Sequence, residues 1–516
     1  MLKKVLKIKL KVVTSIIAIL ILAQVITAYF FGVIAEKQLN LQFKHMTDSS
    51  MITVVKHDYH RGWFSSSENV TLAVNSQFLK NIADLLPASA KESAPSVNKA
   101  DYVINYSTNI TNGLFAGWLH GKIYPTIAYA DTTVALPEKL DKILNKFFDG
   151  KSAIKINNVI FLNKAGKYII TSPLFDYDET LSGVKVNWGG LDLEIAYNDK
   201  FNQFENNLEV PSFAMIAPTK GEFGFNGLNY NSVSSYSVNQ IKVGTTDFNL
   251  RNLKVQLVES NITQFKLGEA VHLLTGVNSV DFLNGIDAIN PTNFTISNVH
   301  YNSLSNDQNN LFNATAKAGF ESLTSNSNSY GPMSFDLDIG HIDAPAFSKL
   351  ADLLNSAAAE DQSTTANRDK TITQLKATML PILINSPLIT LNEFKLKTPS
   401  GMISIAGNAT THNFESRDMA DQSKFMQKLS LKMDFSLPKP ILAYFFVLQM
   451  KYFLTSGNAQ MDKQSSDALV KVVNILLDNQ LSVWLKKGYL KESGNELSSK
   501  IAMESGVVTL NGVVTK

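Results

Sequence analysis

Residues 223–230 read Phe223-Gly224-Phe225-Asn226-Gly227-Leu228-Asn229-Tyr230. Apolar residues stand at 223 and 225, then resume at 228 and 230 with the opposite parity. Side chains in a strand alternate faces with a period of two, so a plain strand would send the two pairs to opposite sides. One extra residue between them restores a common face. Asn and Gly tolerate the left-handed backbone that such a β-bulge uses. The pattern recurs at Ile154–Phe161 around Asn158, Phe248–Val255 around Asn252 and Phe294–Tyr301 around Asn298. Ile389–Leu396 is a fifth copy, with Asn392 one place earlier. Repeated bulges add twist and bend, so the pattern predicts a long, strongly curved antiparallel sheet.

The flanking sequence agrees. Residues 67–345 read as short alternating strands punctuated by Asn, Gly and Ser, such as Val70–Val74, Tyr102–Tyr106 and Phe335–Ile339. The stretch 78–100 reads as a loop. Helices are expected later, at Ala344–Ala359 and, despite Pro381, at Thr371–Leu383, with the soft stretch Asp361–Lys370 between them. Pro440 suits the first turn of a helix through Leu454, whose residues Ile441–Leu448 are apolar on every side and therefore expected to be buried. Ser466–Lys487 is the best-patterned helix, stopped by Gly488. Strands Leu497–Met503 and Val507–Val514 close the chain. The expected class is α+β, mainly β: residues 36–345 mostly strand, 346–516 mixed helix and strand.

The 516 residues carry 47 basic and 45 acidic side chains, 45% apolar residues and no cysteine. The near-balance of charge argues against nucleic acid as a partner. Without cysteine, disulfides, thiolate metal sites and Cys nucleophiles are excluded. The balance conceals an asymmetry. Lys3, Lys4, Lys7, Lys9 and Lys11 form a basic tail over residues 1–11, and the remaining chain has 42 basic against 45 acidic residues. Residues 12–35 follow without a charge, long enough to cross a hydrocarbon core of roughly 30 Å. The lysines place the N-terminus in the cytoplasm, and residues 36–516 across the membrane. The alternative is a cleaved signal ending near Val33-Ile34-Ala35, although the apolar run exceeds the usual length of one.

No catalytic signature stands out. The chain has no G-x-S-x-G and no H-E-x-x-H. Gly150-Lys151-Ser152 lacks the upstream glycine of a phosphate loop, and Gly221, Gly224 and Gly227 have the wrong spacing for a dinucleotide site. Lys56-His57-Asp58-Tyr59-His60 is the densest titratable cluster. On a strand His57 faces away from Asp58 and His60, so no metal site is expected there. Asp336, Asp338, His341 and Asp343 read as a solvated strand face. Trp63, Trp118, Trp188 and Trp484 read as core or interface residues rather than a ligand platform. No catalytic residue, cofactor or metal is assigned.

The octapeptide Tyr59-His60-Arg61-Gly62-Trp63-Phe64-Ser65-Ser66, about 25 residues beyond the apolar run, resembles a motif of the YdgA-like bacterial envelope proteins. Ile339–Asp343, Leu380–Leu391 with Lys397–Ala406, and Val507–Gly512 are similar to further stretches of that family. The resemblance implies a membrane-anchored envelope protein of unknown biochemical function, and no catalytic residue carries over. In the motif itself, Gly62 permits a turn, Tyr59, Trp63 and Phe64 can anchor it, and Arg61 can pair with a carboxylate or an anionic head group. The expected protein is a single-pass inner-membrane protein with a large periplasmic β-rich domain and a non-enzymatic binding or scaffolding role. Its partners would be membrane lipid, another envelope protein or a second copy of the chain. The alternatives are a lipid-binding or lipid-transfer protein using an apolar groove of the curved sheet, as in AsmA-like proteins, and an envelope hydrolase.

Overall fold

In the computed structural model, which describes residues 2–47, 52–74, 103–135, 138–257, 293–325, 328–359, 365–454 and 463–515, the chain builds one 24-stranded sheet. Every pairing is antiparallel, and neighbours in the sheet are mostly neighbours in sequence. Among the described residues the two ends do not meet. Strand Ile52–Arg61 pairs only with Ser65–Val74, and Val513–Val514 only with Val507–Leu510. The sheet is therefore open, and the mainly β expectation holds.

The parity pattern has a different cause from the one expected. Gly227 and Asn298 do adopt left-handed backbone, with φ of 63° and 50°. Yet the register on either side of them is unchanged: Asn226 faces Asn252 and Leu228 faces Leu250, while Leu250 faces Val299 and Asn252 faces Ser297. No residue is inserted. Instead Pro211, Gly227, Arg251 and Asn298 lie opposite one another across four strands, and each drops out of the ladder. Proline has no N–H to donate, and a left-handed residue turns its amide out of line. The row continues into Gly190 (φ 92°), where two short strands divide. It is a transverse crease that reverses the alternation in each strand at one level. Only Asn392 sits in a true bulge, with the register shifting on both sides of its strand. Asn158 and Asn252 are ordinary in-register residues.

The helices observed are Leu2–Thr47, Ala116–Leu119, Glu138–Phe147, Ala344–Ala359, Thr365–Ile384, Gln422–Lys428, Lys439–Leu454 and Lys463–Lys486. Residues 365–370 thus belong to a helix and not to the soft stretch expected there; the loop expected at 78–100 lies outside the described residues. Lys439–Leu454 is not fully buried. It packs through Leu442 and Ala443 on Leu477 and Leu481 of the last helix, while Phe445 and Phe446 are exposed. By length and composition Gln464–Lys486 could itself cross a membrane. Its Leu469, Val473, Leu477 and Leu481 recur at helical spacing and are buried on the protein, while Val472, Ile475 and Leu476 on another face are exposed.

The N-terminal helix carries the largest correction. Leu2–Thr47 is a single helix of 46 residues, and its second half is built into the sheet. Ala28, Ala35, Gln38, Leu39 and Gln42 are buried on one face. Ala35 and Leu39 share a core with Ile110, Ile127 and Ile160, where burial of the leucine and of each isoleucine is worth about 1.5–3 kcal/mol. The apolar run read as one membrane segment at 12–35 therefore contains two parts, and the body already grips the second of them.

Candidate functional site

The crease shapes a groove. Amphipathic helix Glu138–Phe147 lies beside the sheet there; Phe147 stacks on Phe175 with centroids 5.4 Å apart, and Phe148 meets Phe175 edge-on at 4.7 Å. Ile170 and Leu191 come from one side of the crease, and Val186, Trp188, Phe213 and Met215 from the other. All line the same groove of about 430 Å³, with Leu144, Ile154 and the three phenylalanines. This shared face is what the reversed alternation achieves. The lining has one polar side chain, Ser172, and its hydroxyl accepts a hydrogen bond from Trp188 Nε1 at 3.0 Å. A volume in the range of small-molecule sites with an almost wholly apolar wall suits a hydrocarbon chain and offers no titratable group for acid–base chemistry. Trp188 lines this groove. The groove residues themselves were missed. Leu140, Ile143, Leu144 and Phe147 do stand at helical spacing, so the helix was visible in the sequence.

The octapeptide motif lies elsewhere, against the N-terminal helix. Arg61 pairs with Ser66 across the hairpin, and a Cβ on Gly62 would stand 2.3 Å from the carbonyl oxygen of Ser65, so the turn requires glycine. Trp63 Nε1 donates to the carbonyl of Val25 at 2.8 Å, and its ring lies 5.0 Å from that of Tyr29. Arg61 Nη1 donates to Glu36 Oε2 at 2.6 Å. Tyr59 packs on the Ala35–Leu39 core, and burial pushes its hydroxyl up to about 12. The carbonyl of Phe64 and the hydroxyl of Ser66 both accept from Asn112. Ser65 pairs with Thr111, and His60 is exposed. The motif is a clamp that holds the helix on the sheet.

A buried polar layer reinforces the clamp. Gln42 Oε1 accepts from Asn158 Nδ2 at 2.8 Å and from the Tyr168 hydroxyl at 2.6 Å. Tyr197 donates to Asn158 Oδ1 at 2.6 Å. Asn158, expected at a bulge, is the hub of this network. Beside it His57 Nε2 lies 2.8 Å from Glu68 Oε1 and stacks on Phe43. Burial raises the Glu68 carboxyl above its ordinary value, an effect partly offset by the His57 hydrogen bond.

The remaining candidates do not converge on one centre. Lys56 and Asp58 form an exposed ion pair at 2.6 Å, away from His57. Asn392 donates to both Asp336 and Asp338, and with Lys317 it holds Asp336 below the usual carboxylate range. Asp343 caps the following helix through the Ala346 amide, and His341 occupies a left-handed position of its strand. Among the described residues no group of three or more His, Cys, Asp or Glu side chains could hold a metal ion.

Fold and site together define a class: a mainly β protein with an open antiparallel sheet, clamped along one helix that continues into an apolar N-terminal segment. The chain belongs to a family described as bacterial protein of unknown function (DUF945), whose model matches residues 8–514. No curated protein and no solved structure matches it.

Proposed function

We propose that this is a single-pass inner-membrane protein of the YdgA-like kind, with a cytoplasmic basic tail and a periplasmic β-rich body. Its role is binding rather than catalysis, and the ligand that the geometry suits best is the hydrocarbon part of a lipid-like molecule. The observation that carries this reading is the apolar groove across the crease. Burying a chain there gains about 0.8 kcal/mol per methylene. The retained anchor is supported by the packing of Ala28, Ala35 and Leu39, which cleavage after Ala35 would break apart.

The groove is tested with an apolar dye whose fluorescence rises out of water, such as N-phenyl-1-naphthylamine, displaced by a fatty acid. The full chain in a non-competing detergent is expected to bind the dye. Phe147→Asp places a charge at the rim, on the helix and away from the sheet core, and should weaken binding at least ten-fold. Equal binding by both proteins would remove the groove from consideration.

Topology is open to a direct test because the chain has no cysteine. Lys200→Cys, in an exposed turn of the body, should react with a membrane-impermeant maleimide in spheroplasts. Lys4→Cys should react only after the membrane is permeabilised. The reverse order of labelling would invert the proposed orientation.

A further inference from the structure

We propose that the body does not stand clear of the membrane. Its rim around residues 24–31 of the N-terminal helix enters the interfacial layer of the bilayer through a collar of exposed rings. This inference rests on the anchoring reading above.

The first ground is a length deficit. Among the described side chains, the first that the body holds by hydrogen bonds is Gln24, whose side-chain amide donates to the carbonyl of Asn112 at 3.2 Å and accepts from the Phe115 amide at 3.1 Å. Between the last lysine of the tail, Lys11, and that grip lie 12 uncharged residues, Val12–Ala23. At 1.5 Å per residue they span about 18 Å. A hydrocarbon core is roughly 30 Å thick, so about 12 Å is missing. Eight or so further residues of helix supply it, which reaches Phe31. Those residues already have the sheet on one side. Lipid contact on their other side therefore requires the neighbouring rim of the body to enter the membrane as well.

The second ground is what that rim carries. Two loops meet the helix at this level. Hairpin turn 62–64 attaches through Trp63 to the Val25 carbonyl, and loop 113–125 attaches through Phe115 to Gln24. They are joined to each other by the Asn112 amide donating to the Phe64 carbonyl at 2.8 Å. Both loops turn large apolar side chains outward. Trp63 is 52% exposed, Trp118 54%, Leu119 74% and Ile123 93%, and Phe64 is exposed beside them. On the helix, Leu22, Ile26, Tyr29 and Phe30 continue the exposed apolar surface. Phenylalanine, leucine and tryptophan lying open at one level are costly in water and favourable at the headgroup boundary, where tryptophan and tyrosine concentrate. The Asn112 side-chain oxygen is buried without a partner, but the Gln24 side-chain amide, the Trp63 N–H and the Asn112 backbone N–H all have protein partners. That is what a low-dielectric layer demands of groups placed in it. Half-buried Lys122 and exposed Arg61 belong to the same two loops, Arg61 already paired with Glu36.

The test reads the collar tryptophans themselves. Trp188→Phe and Trp484→Phe together leave Trp63 and Trp118 as the reporters in the full chain, reconstituted into phosphatidylethanolamine–phosphatidylglycerol vesicles. Lipids brominated close to the headgroup should quench the emission at least two-fold, and aqueous iodide should quench it little. Vesicle flotation after an alkaline wash reports the anchor separately. A chain that floats but whose tryptophans are quenched by iodide and not by bromolipid overturns the collar and leaves the anchor intact. Protection from both quenchers means that a second copy or another protein covers the rings, which also overturns it. A chain that fails to float refutes the anchor, and the collar with it.

Discussion

Ala35→Glu is expected to detach the N-terminal helix from the sheet. Ala35 is 0% exposed, and its methyl group sits among Leu39, Ile110, Ile127 and Ile160. A larger side chain there overpacks the seam by about 1–3 kcal/mol. An unpaired carboxylate in the same place adds a further penalty of several kcal/mol, because the cluster around it is apolar and Arg61, the cation on this stretch of helix, is already paired with Glu36. The combined loss should be about 4 kcal/mol or more, read as a lower urea midpoint of the full chain in detergent. It should also open residues 24–47 to limited proteolysis. Lys37→Glu, on the exposed face of the same helix, is the control and should stay within about 0.5 kcal/mol. Equal midpoints for the two variants would mean that the helix is not part of the fold.

His57→Ala should produce a destabilisation that grows with pH. Glu68 is 5% exposed, and its carboxyl is held above the ordinary value by burial. The folded state therefore keeps this proton more readily than the unfolded state. The stability linked to it is fully present below the ordinary carboxylate range and is lost as pH rises through the folded-state value. Removing the imidazole removes the hydrogen bond that partly offsets burial, so the raise and the loss both increase. Near pH 4.5 the substitution should matter little. By pH 8 it leaves a buried carboxylate without its partner, a change of about 3–5 kcal/mol. Adding Glu68→Gln to His57→Ala should recover most of the loss at pH 8, since the amide carries no charge to strand. A pH-independent loss that Glu68→Gln does not relieve would assign His57 a packing role only.

Much of the fold was legible because single residues announced it. Pro440 and Gly488 marked helix ends, Ala344–Ala359 was bounded as it folds, and the parity change at Asn226-Gly227 marked a real break in strand alternation. The nature of that break was not legible. A bulge and a crease leave the same trace in one strand, and only the alignment of Pro211, Gly227, Arg251 and Asn298 across four strands separates them. Asn158 misled for a related reason: its partners Gln42 and Tyr197 are far away in sequence and are brought to it by the sheet. Gln24, Gln38 and Gln42 carry no signal in the sequence that separates them from other polar residues of a helix. They are the polar contacts through which the body holds it. The groove was the least visible feature. Its lining comes from one helix and several separate strands, each contributing one or two ordinary apolar residues.

Native mass spectrometry of the full chain released from detergent tests most directly the proposal that the crease holds a lipid-like ligand. Expected is a population carrying one adduct of lipid mass, retained at low activation energy and absent from Phe147→Asp. A bare protein mass under all conditions, or the same adduct on both proteins, would contradict it.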